Sequence, residues 1–175
     1  MHRPNVQLVA ILACFSALIG SLSDPAYVAA DADVANAAAS LADGAFYNNG
    51  QSCCSVERIY VHEAVHGPFV DAFVAAVDAM KMGDPREEDT YLGPLTRPAQ
   101  ADVLRRQVTQ ATAAGARVLR GGLQLPGPGT WFEPTVLVDV DHGMEVMREE
   151  SFGPVIGIQA VTGDEEAARL MACLL

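Results

Sequence analysis

Two adjacent cysteines in a glycine-containing turn are the residues of this 175-residue chain best suited to nucleophilic chemistry. Cys53 and Cys54 follow the segment Phe46-Tyr-Asn-Asn-Gly-Gln-Ser52 and come shortly before the apolar run Arg58-Ile-Tyr-Val61. A cysteine in such a turn, just before a buried strand, can project its sulfur into a cleft where backbone N–H groups stabilise a thiolate and an oxyanion. The turn is therefore a candidate nucleophile site, and the alternative is a pair of small packing residues.

A second segment, His62-Glu-Ala-Val-His66, matches the H-E-x-x-H pattern of zinc peptidases. On one helix this pattern places two imidazoles on the same face for zinc and supplies a glutamate as general base. Here Pro68 would clash with the carbonyl of Ala64 if one helix ran through both histidines. The residues fit a strand-to-helix junction better, with Glu63 and Pro68 in the first turn of the following helix. We therefore predict no metal site, and an exported zinc peptidase is the least favoured function.

The elements that must position these residues alternate between helix and strand. The spacing of apolar residues predicts helices over residues 31–43, over 69–80 with Gly83 as C-cap, and over 98–113, and a capping box at Thr162-Gly-Asp-Glu165 predicts one more. Short apolar runs predict strands at 58–61, 116–119, 133–138 and 155–161. This alternation predicts an α/β fold with a largely parallel sheet flanked by helices.

The composition is that of an acidic globular protein. Hydrophobic residues make up 50% of the chain and charged residues 19%, and the net charge is −11. Such a surface is repelled by phosphate backbones and anionic lipid, so neither a nucleic acid nor a membrane is an expected partner. The four cysteines include no C-x-x-C pair and form no disulfide framework typical of secreted domains, which favours a cytoplasmic location.

The cysteine segment, Phe-x-x-x-Gly-Gln-x-Cys followed by Arg58-Ile-Tyr-Val61, resembles the active-site segment of the aldehyde dehydrogenase superfamily. Four further segments resemble the family's landmarks in the same order: Asp24-Pro-Ala-Tyr-Val28, Gly93-Pro-Leu95, Phe132-Glu-Pro-Thr135 and Glu149-Glu-Ser-Phe-Gly-Pro-Val155. The resemblance runs from about position 24 to position 171. It implies a partial catalytic domain of an aldehyde dehydrogenase.

The resemblance also implies a mechanism and assigns residues to it. The family's nucleophile lies two residues after the position of Gln51, which selects Cys53 over Cys54. Its thiolate attacks an aldehyde, hydride passes to NAD or NADP, and the resulting thioester is hydrolysed to a carboxylate. Glu150 matches the residue that binds the nicotinamide ribose, and Phe152 matches the one that packs beside the nicotinamide. The expected partner is a small aldehyde, and members of the family form homo-oligomers.

The beginning of the chain departs from the family pattern. The family's general base lies in a Glu-Leu-Gly-Gly-Lys motif, where this chain has Ile19-Gly-Ser-Leu-Ser23, and the main cofactor-binding domain lies further upstream. We therefore expect a truncated oxidoreductase with little turnover of its own, and the alternative is a catalytically inactive remnant of the family.

Residues 1–23 are unlike the family and include an apolar run at 8–20. The run is too short to span a membrane but fits the hydrophobic region of a signal peptide. The other possibilities are a buried strand or helix, or an unrelated sequence joined near Ser23. We divide the chain into residues 1–23, a partial aldehyde dehydrogenase domain at 24–171 and an aberrant end at 172–175, with a cytoplasmic location favoured over export.

Overall fold

One mixed sheet forms the centre of the molecule in the computed structural model, which describes the backbone of residues 9–11 and all of residues 24–172. In chain order the strands are β1 (Val9–Ile11), β2 (Asp24–Val28), β3 (Val56–His62), β4 (Arg117–Arg120), β5 (Gln124–Leu125), β6 (Trp131–Phe132), β7 (Thr135–Val138) and β8 (Val155–Val161). Six of them form a sheet in the order β1-β2-β3-β8-β7-β4. The four central strands are parallel, and β1 and β4 pair antiparallel at the two edges.

Helices cover both faces of this sheet: α1 (Val34–Phe46), α2 (Glu63–Asp78), α3 (Pro98–Ala113) and α4 (Asp164–Ala172). The helices α1 and α2 pack on the face that carries Ile59 and Val61. The helices α3 and α4 pack on the opposite face, which carries Tyr60. Residues 56–61 of β3 are buried without interruption, as expected for a parallel strand that is covered on both faces. The predicted α/β class with a largely parallel sheet is confirmed.

The ends of the elements follow the predicted ones closely in two places. The helix α3 begins at Pro98 and ends at Ala113, and β8 occupies Val155–Val161, both as predicted. The helix α1 lies three residues later than predicted, because Asp33 caps it by accepting the Asn36 N–H at 3.1 Å.

The sequence prediction for α2 was confirmed for Glu63, which lies in its first turn, and was wrong for Pro68 and Gly83. Pro68 lies inside the helix rather than in its first turn, and the C-cap is Ala79 rather than Gly83. A proline inside a helix costs about 3 kcal/mol. The helix continues through it because Phe69 and Phe73 are fully buried beyond it, each contributing roughly 1.5–3 kcal/mol.

The predicted capping box of α4 was also wrong, because it named the glutamate one residue too early. The Glu166 carboxylate accepts the Thr162 N–H at 2.8 Å and the Thr162 hydroxyl at 2.7 Å, in place of Glu165. Because α4 begins at Asp164, the third helical position falls on Glu166.

Little of the N-terminal segment falls within the described residues. The apolar run at 8–20 is described only at Val9–Ile11, whose backbone pairs with β2. The rest of the run lies outside the described residues, and so does most of the segment to which the signal-peptide hypothesis refers. Across the part of the chain that the structure describes, no helix combines the length and the apolar character that crossing a membrane requires.

The aromatic cluster between α1 and α2 provides a test of the packing. Phe73 is fully buried, with its ring centroid 5.6 Å from that of Phe69 and 6.3 Å from that of Phe46. We expect Phe73→Ala to lower the free energy of unfolding by about 3–5 kcal/mol, measured by urea denaturation, because it leaves a cavity. Leu123 is 65% exposed, so the control Leu123→Ala should change that free energy by less than about 0.5 kcal/mol. Equal losses in the two variants would contradict this packing.

Candidate active site

The site lies at the amino ends of the central strands. The cysteine turn (residues 47–54) directly precedes β3, and the Glu150 loop (residues 149–154) directly precedes β8. Because β3 and β8 are parallel neighbours, the two segments lie side by side. Ligands of open α/β sheets usually bind at the carboxyl ends of the strands. In this protein the edge at the carboxyl ends of the strands holds an open depression of about 1110 Å³. Carboxylates such as Asp31 and Asp164 line this depression, whereas the two cysteines do not.

The cysteine turn is shaped by its two asparagines. Asn48 and Asn49 have left-handed backbone angles, with φ of 50° and 60°, which asparagine tolerates better than most residues. The Asn48 side-chain amide donates to the Gln51 carbonyl at 2.8 Å. The Gln51 side-chain oxygen in turn accepts the Thr96 N–H at 2.8 Å and the Thr96 hydroxyl at 2.5 Å. Gln51 therefore ties the turn to a distant segment of the chain.

Both cysteine thiols are exposed at the end of this turn. The Cys53 and Cys54 sulfurs are 3.8 Å apart, and the Cys54 N–H donates to the Ser52 hydroxyl at 3.2 Å. The hydrogen bond with the Cys53 thiol is the largest cause that raises the pKa of Cys54. A raised pKa leaves less thiolate on Cys54 at neutral pH.

The Glu150 loop presents a carboxylate and an aromatic ring. The side chains of Glu150 and Phe152 are half-buried, and burial raises the pKa of the Glu150 carboxyl. Phe152 has φ of +46°, a conformation that bulky residues avoid and that costs roughly 1–3 kcal/mol unless its surroundings impose it.

Glutamines of α3 hold the carbonyl groups of this loop. The Gln100 side-chain amide donates to the Ser151 carbonyl, and the Gln107 amide donates to the Glu150 carbonyl at 3.5 Å. These bonds engage the backbone, so they leave the side chains of Glu150 and Phe152 available to a ligand.

The N–H groups of the loop bond to a buried carboxylate on β3. Glu57 is 4% exposed and accepts the Ser151 N–H at 2.9 Å and the Phe152 N–H at 3.1 Å. Burial raises the pKa of Glu57 to about 7, and the two N–H bonds oppose that rise. Its neighbour Arg58 is also buried and donates to the Met147 carbonyl at 3.0 Å.

Sequence reasoning missed Glu57. The only signal was a charged pair, Glu57 and Arg58, at the start of an otherwise apolar strand. Such a pair is ordinarily assigned to solvent, because glutamate and arginine are rarely buried.

The cysteine turn and the Glu150 loop touch through two glycines. Gly50 has φ of 68°, and a Cβ at this position would lie 2.4 Å from the Gly153 carbonyl oxygen. A Cβ at Gly153 would lie 2.7 Å from the side chain of Leu104 on α3. Only glycine fits at position 50, where an added Cβ would meet backbone atoms at a positive φ, so the backbones of the two segments are in direct contact.

The H-E-x-x-H segment has a capping geometry. His62 precedes α2 and caps it, since its Nδ1 accepts the Ala64 N–H at 3.1 Å. Its imidazole therefore does not share a helix face with that of His66. Among the residues described by the structure, no group of three or more histidine, cysteine, aspartate or glutamate side chains is arranged to hold a metal ion.

The fold and these two segments define an α/β domain that presents an exposed cysteine beside a loop bearing a carboxylate and an aromatic ring. The chain belongs to the aldehyde dehydrogenase family, whose model matches residues 16–172. This finding confirms the resemblance seen in the sequence. The division of the chain at residues 23, 171 and 175 stays a prediction, as do the roles of Cys53, Glu150 and Phe152.

The relatives are dehydrogenases. The chain is 42% identical over 148 residues to the Escherichia coli succinate semialdehyde dehydrogenase [NAD(P)+] Sad, covering 85% of this chain and 32% of that protein. The structure of the present chain is similar to that of lactaldehyde dehydrogenase from Escherichia coli. The TM-score is 0.84 and the sequence identity is 35%, over 89% of this chain and 32% of that chain. The structure of a 3,6-anhydro-L-galactose dehydrogenase in complex with NAP is also similar, with a TM-score of 0.82 and 38% identity. The match covers 87% of this chain and 32% of that chain. The chain spans about a third of the length of these relatives.

The raised pKa of the Cys54 thiol gives a prediction about labelling. With iodoacetamide at neutral pH, we expect Cys54 to be carbamidomethylated more slowly in the folded protein than in protein unfolded with urea, because folding reduces its thiolate fraction. Fragmentation of the peptide by tandem mass spectrometry distinguishes label on Cys54 from label on Cys53. Equal or faster labelling of Cys54 in the folded protein would contradict this expectation.

The buried Glu57 carboxyl gives a prediction about stability against pH. Its pKa is raised from 4.5 to about 7 in the folded protein, so folding favours its protonated form. The resulting stabilisation is complete below pH 4.5 and is lost as the pH rises through 7, a change of about 3 kcal/mol in the free energy of unfolding. In urea denaturation, the Glu57→Gln variant should not lose this stabilisation as the pH rises. The difference in the free energy of unfolding, variant minus unsubstituted protein, should therefore increase with pH.

Glu88→Gln is the matched control, since Glu88 is exposed on the loop between α2 and α3. It should follow the pH profile of the unsubstituted protein. Parallel profiles for the unsubstituted protein and Glu57→Gln would show that Glu57 does not titrate with a raised pKa.

Proposed function

We propose that this chain supplies the cysteine-bearing part of an NAD(P)-dependent aldehyde dehydrogenase, with Cys53 as the nucleophile. One observation carries the proposal: an exposed thiol lies in a turn that packs, through Gly50 and Gly153, against the loop that presents Glu150 and Phe152. The names of the relatives support the nicotinamide cofactor and the aldehyde substrate.

The residues of the Glu150 loop fit a nicotinamide nucleotide. A half-buried carboxylate at Glu150 can accept hydrogen bonds from the hydroxyl groups of a ribose, and the half-buried ring of Phe152 offers an apolar face to a flat heterocycle. Because the loop backbone is already bonded to Glu57 and to α3, neither side chain is needed to hold the loop. When it is bound, an oxidised nicotinamide accepts a hydride.

The chemistry assigned to the chain itself is covalent catalysis. The Cys53 thiolate attacks the aldehyde carbon and forms a C–S bond, and the carbonyl oxygen becomes an oxyanion. The backbone N–H of Cys53 is suited to hold that oxyanion, and such a donor is typically worth about 3–4 kcal/mol. Oxidation of this adduct leaves an acyl thioester, and water then releases the carboxylate and regenerates the thiol.

The substrate class follows from the relatives. A protein 42% identical to this chain is named a succinate semialdehyde dehydrogenase, so we propose a short semialdehyde as the first substrate to test. A homo-oligomeric assembly and a cytoplasmic location stay predictions from the sequence.

The test separates acyl transfer from oxidation. With 4-nitrophenyl acetate, which needs no cofactor, we expect an acetyl group on Cys53, seen by peptide mass spectrometry, and release of nitrophenolate. Cys53→Ala should reduce both by at least about tenfold, whereas the control Cys54→Ala should retain them, because only Cys53 is the proposed nucleophile.

The second readout is aldehyde-dependent formation of reduced nicotinamide, followed at 340 nm with succinate semialdehyde and NAD or NADP. Any such activity should disappear in Cys53→Ala and persist in Cys54→Ala. Activity that survives in Cys53→Ala would refute the assignment. If the protein shows no acylation of Cys53 and no nucleotide binding, it is a non-catalytic member of the family.

A further inference from the structure

A single buried carboxylate connects the two segments of the site. Glu57 lies on β3, the strand that directly follows the cysteine turn. Its two oxygens accept the N–H groups of Ser151 and Phe152, which belong to a segment more than 90 residues further along the chain. The side chains of Glu150 and Phe152 therefore extend from a backbone that Glu57 holds from the interior.

The conformation of Phe152 shows why such a contact is needed. Its positive φ is one that an aromatic residue adopts only when the surroundings impose it. Gln100 and Gln107 bond to carbonyl groups of the loop, whereas Glu57 provides the acceptors for its N–H groups. The carboxylate accordingly fixes the peptide groups on both sides of Ser151.

The protonation state of Glu57 determines how many of these bonds form. The ionised carboxylate offers an acceptor oxygen to each N–H, but the protonated group turns one oxygen into a hydroxyl donor that faces an N–H. Among the charged groups near Glu57, Glu150 raises the pKa of the Glu57 carboxyl, and the Glu57 carboxylate in turn raises the pKa of the adjacent Arg58. Arg58 also interacts with Asp24 on β2.

We propose that Glu57 is a positioning residue: its ionised carboxylate holds the Ser151 and Phe152 amides and thereby fixes Glu150 and Phe152 for the nicotinamide nucleotide. The part of this statement that concerns the nucleotide rests on the proposed function. The part that concerns the loop rests on the hydrogen bonds alone.

The loop is tested by ¹H–¹⁵N NMR of the isotopically labelled chain across neutral pH. The Ser151 and Phe152 amide signals should shift together with a midpoint near the pKa of Glu57, about 7. In Glu57→Gln this shared transition should be absent, and hydrogen exchange at the two amides should be at least about tenfold faster, because an amide cannot accept both N–H groups as a carboxylate does.

The matched control is again Glu88→Gln, which should leave both amide signals and their transition unchanged. A purely structural role in packing would not make these two amides titrate together. Amides that do not titrate in the unsubstituted protein would overturn the proposal, as would an equal transition in Glu57→Gln. The titration of the unsubstituted protein decides the question even if the variant fails to fold.

Binding of NADP and acylation of Cys53 together separate this proposal from the proposed function. With fluorescence or calorimetry, we expect Glu57→Gln to weaken NADP binding about tenfold or more, while Glu88→Gln does not. If the amides titrate as expected but 4-nitrophenyl acetate does not acylate Cys53, the loop contact stands and the proposed function fails. If NADP binds equally to both proteins, Glu57 does not position the nucleotide-binding residues.

Discussion

The parallel pairing of β3 with β8 is the constraint on which the rest of this structure depends. Arg58 lies opposite Gly157 and Val61 opposite Ala160, so the segments that lead into the two strands meet at one edge of the sheet. One segment ends in Cys53 and Cys54, and the other carries Glu150 and Phe152. A register shift of one residue would reverse the faces of β3 and change the relative placement of the two segments of the candidate site.

Around this pairing, the molecule keeps an ionisable group in its interior at a cost in stability. A buried carboxylate whose pKa is raised to about 7 makes the folded protein less stable when it ionises. The same ionised carboxylate forms its best contacts with the Ser151 and Phe152 amides. The proposed role of Glu57 therefore implies that stability and the order of the loop respond to pH in opposite directions, a compromise of the kind found at functional sites.

The family, the fold class and the ends of some elements could be predicted from the sequence because they depend on local patterns. Pro98 at the start of α3 and Gly115 beyond its end are signals within a few residues of the helix they limit. Pro68 was misplaced because its effect on α2 is outweighed by the packing of Phe69 and Phe73, which no local pattern reports.

The inner part of the site could not be predicted for the same reason. Glu57 acquires its role only from amides more than 90 residues away, and Gln51 only from Thr96 in a distant segment. Neither the spacing of residues nor their propensities encodes such pairs. The resemblance to a family assigned roles to Cys53, Glu150 and Phe152, whereas the structure was needed to identify the residues that hold their segments.

The central claim is that Cys53 and the Glu150 loop act together on an aldehyde, and the mass of the protein after reaction tests it most directly. The chain would be incubated with succinate semialdehyde and NADP, then analysed intact and after digestion. We predict a succinyl thioester on Cys53 that forms only when both compounds are present, because the acyl group arises by oxidation of the aldehyde adduct. No adduct, an adduct on Cys54, or an equal amount of acyl product without the nucleotide would contradict the account.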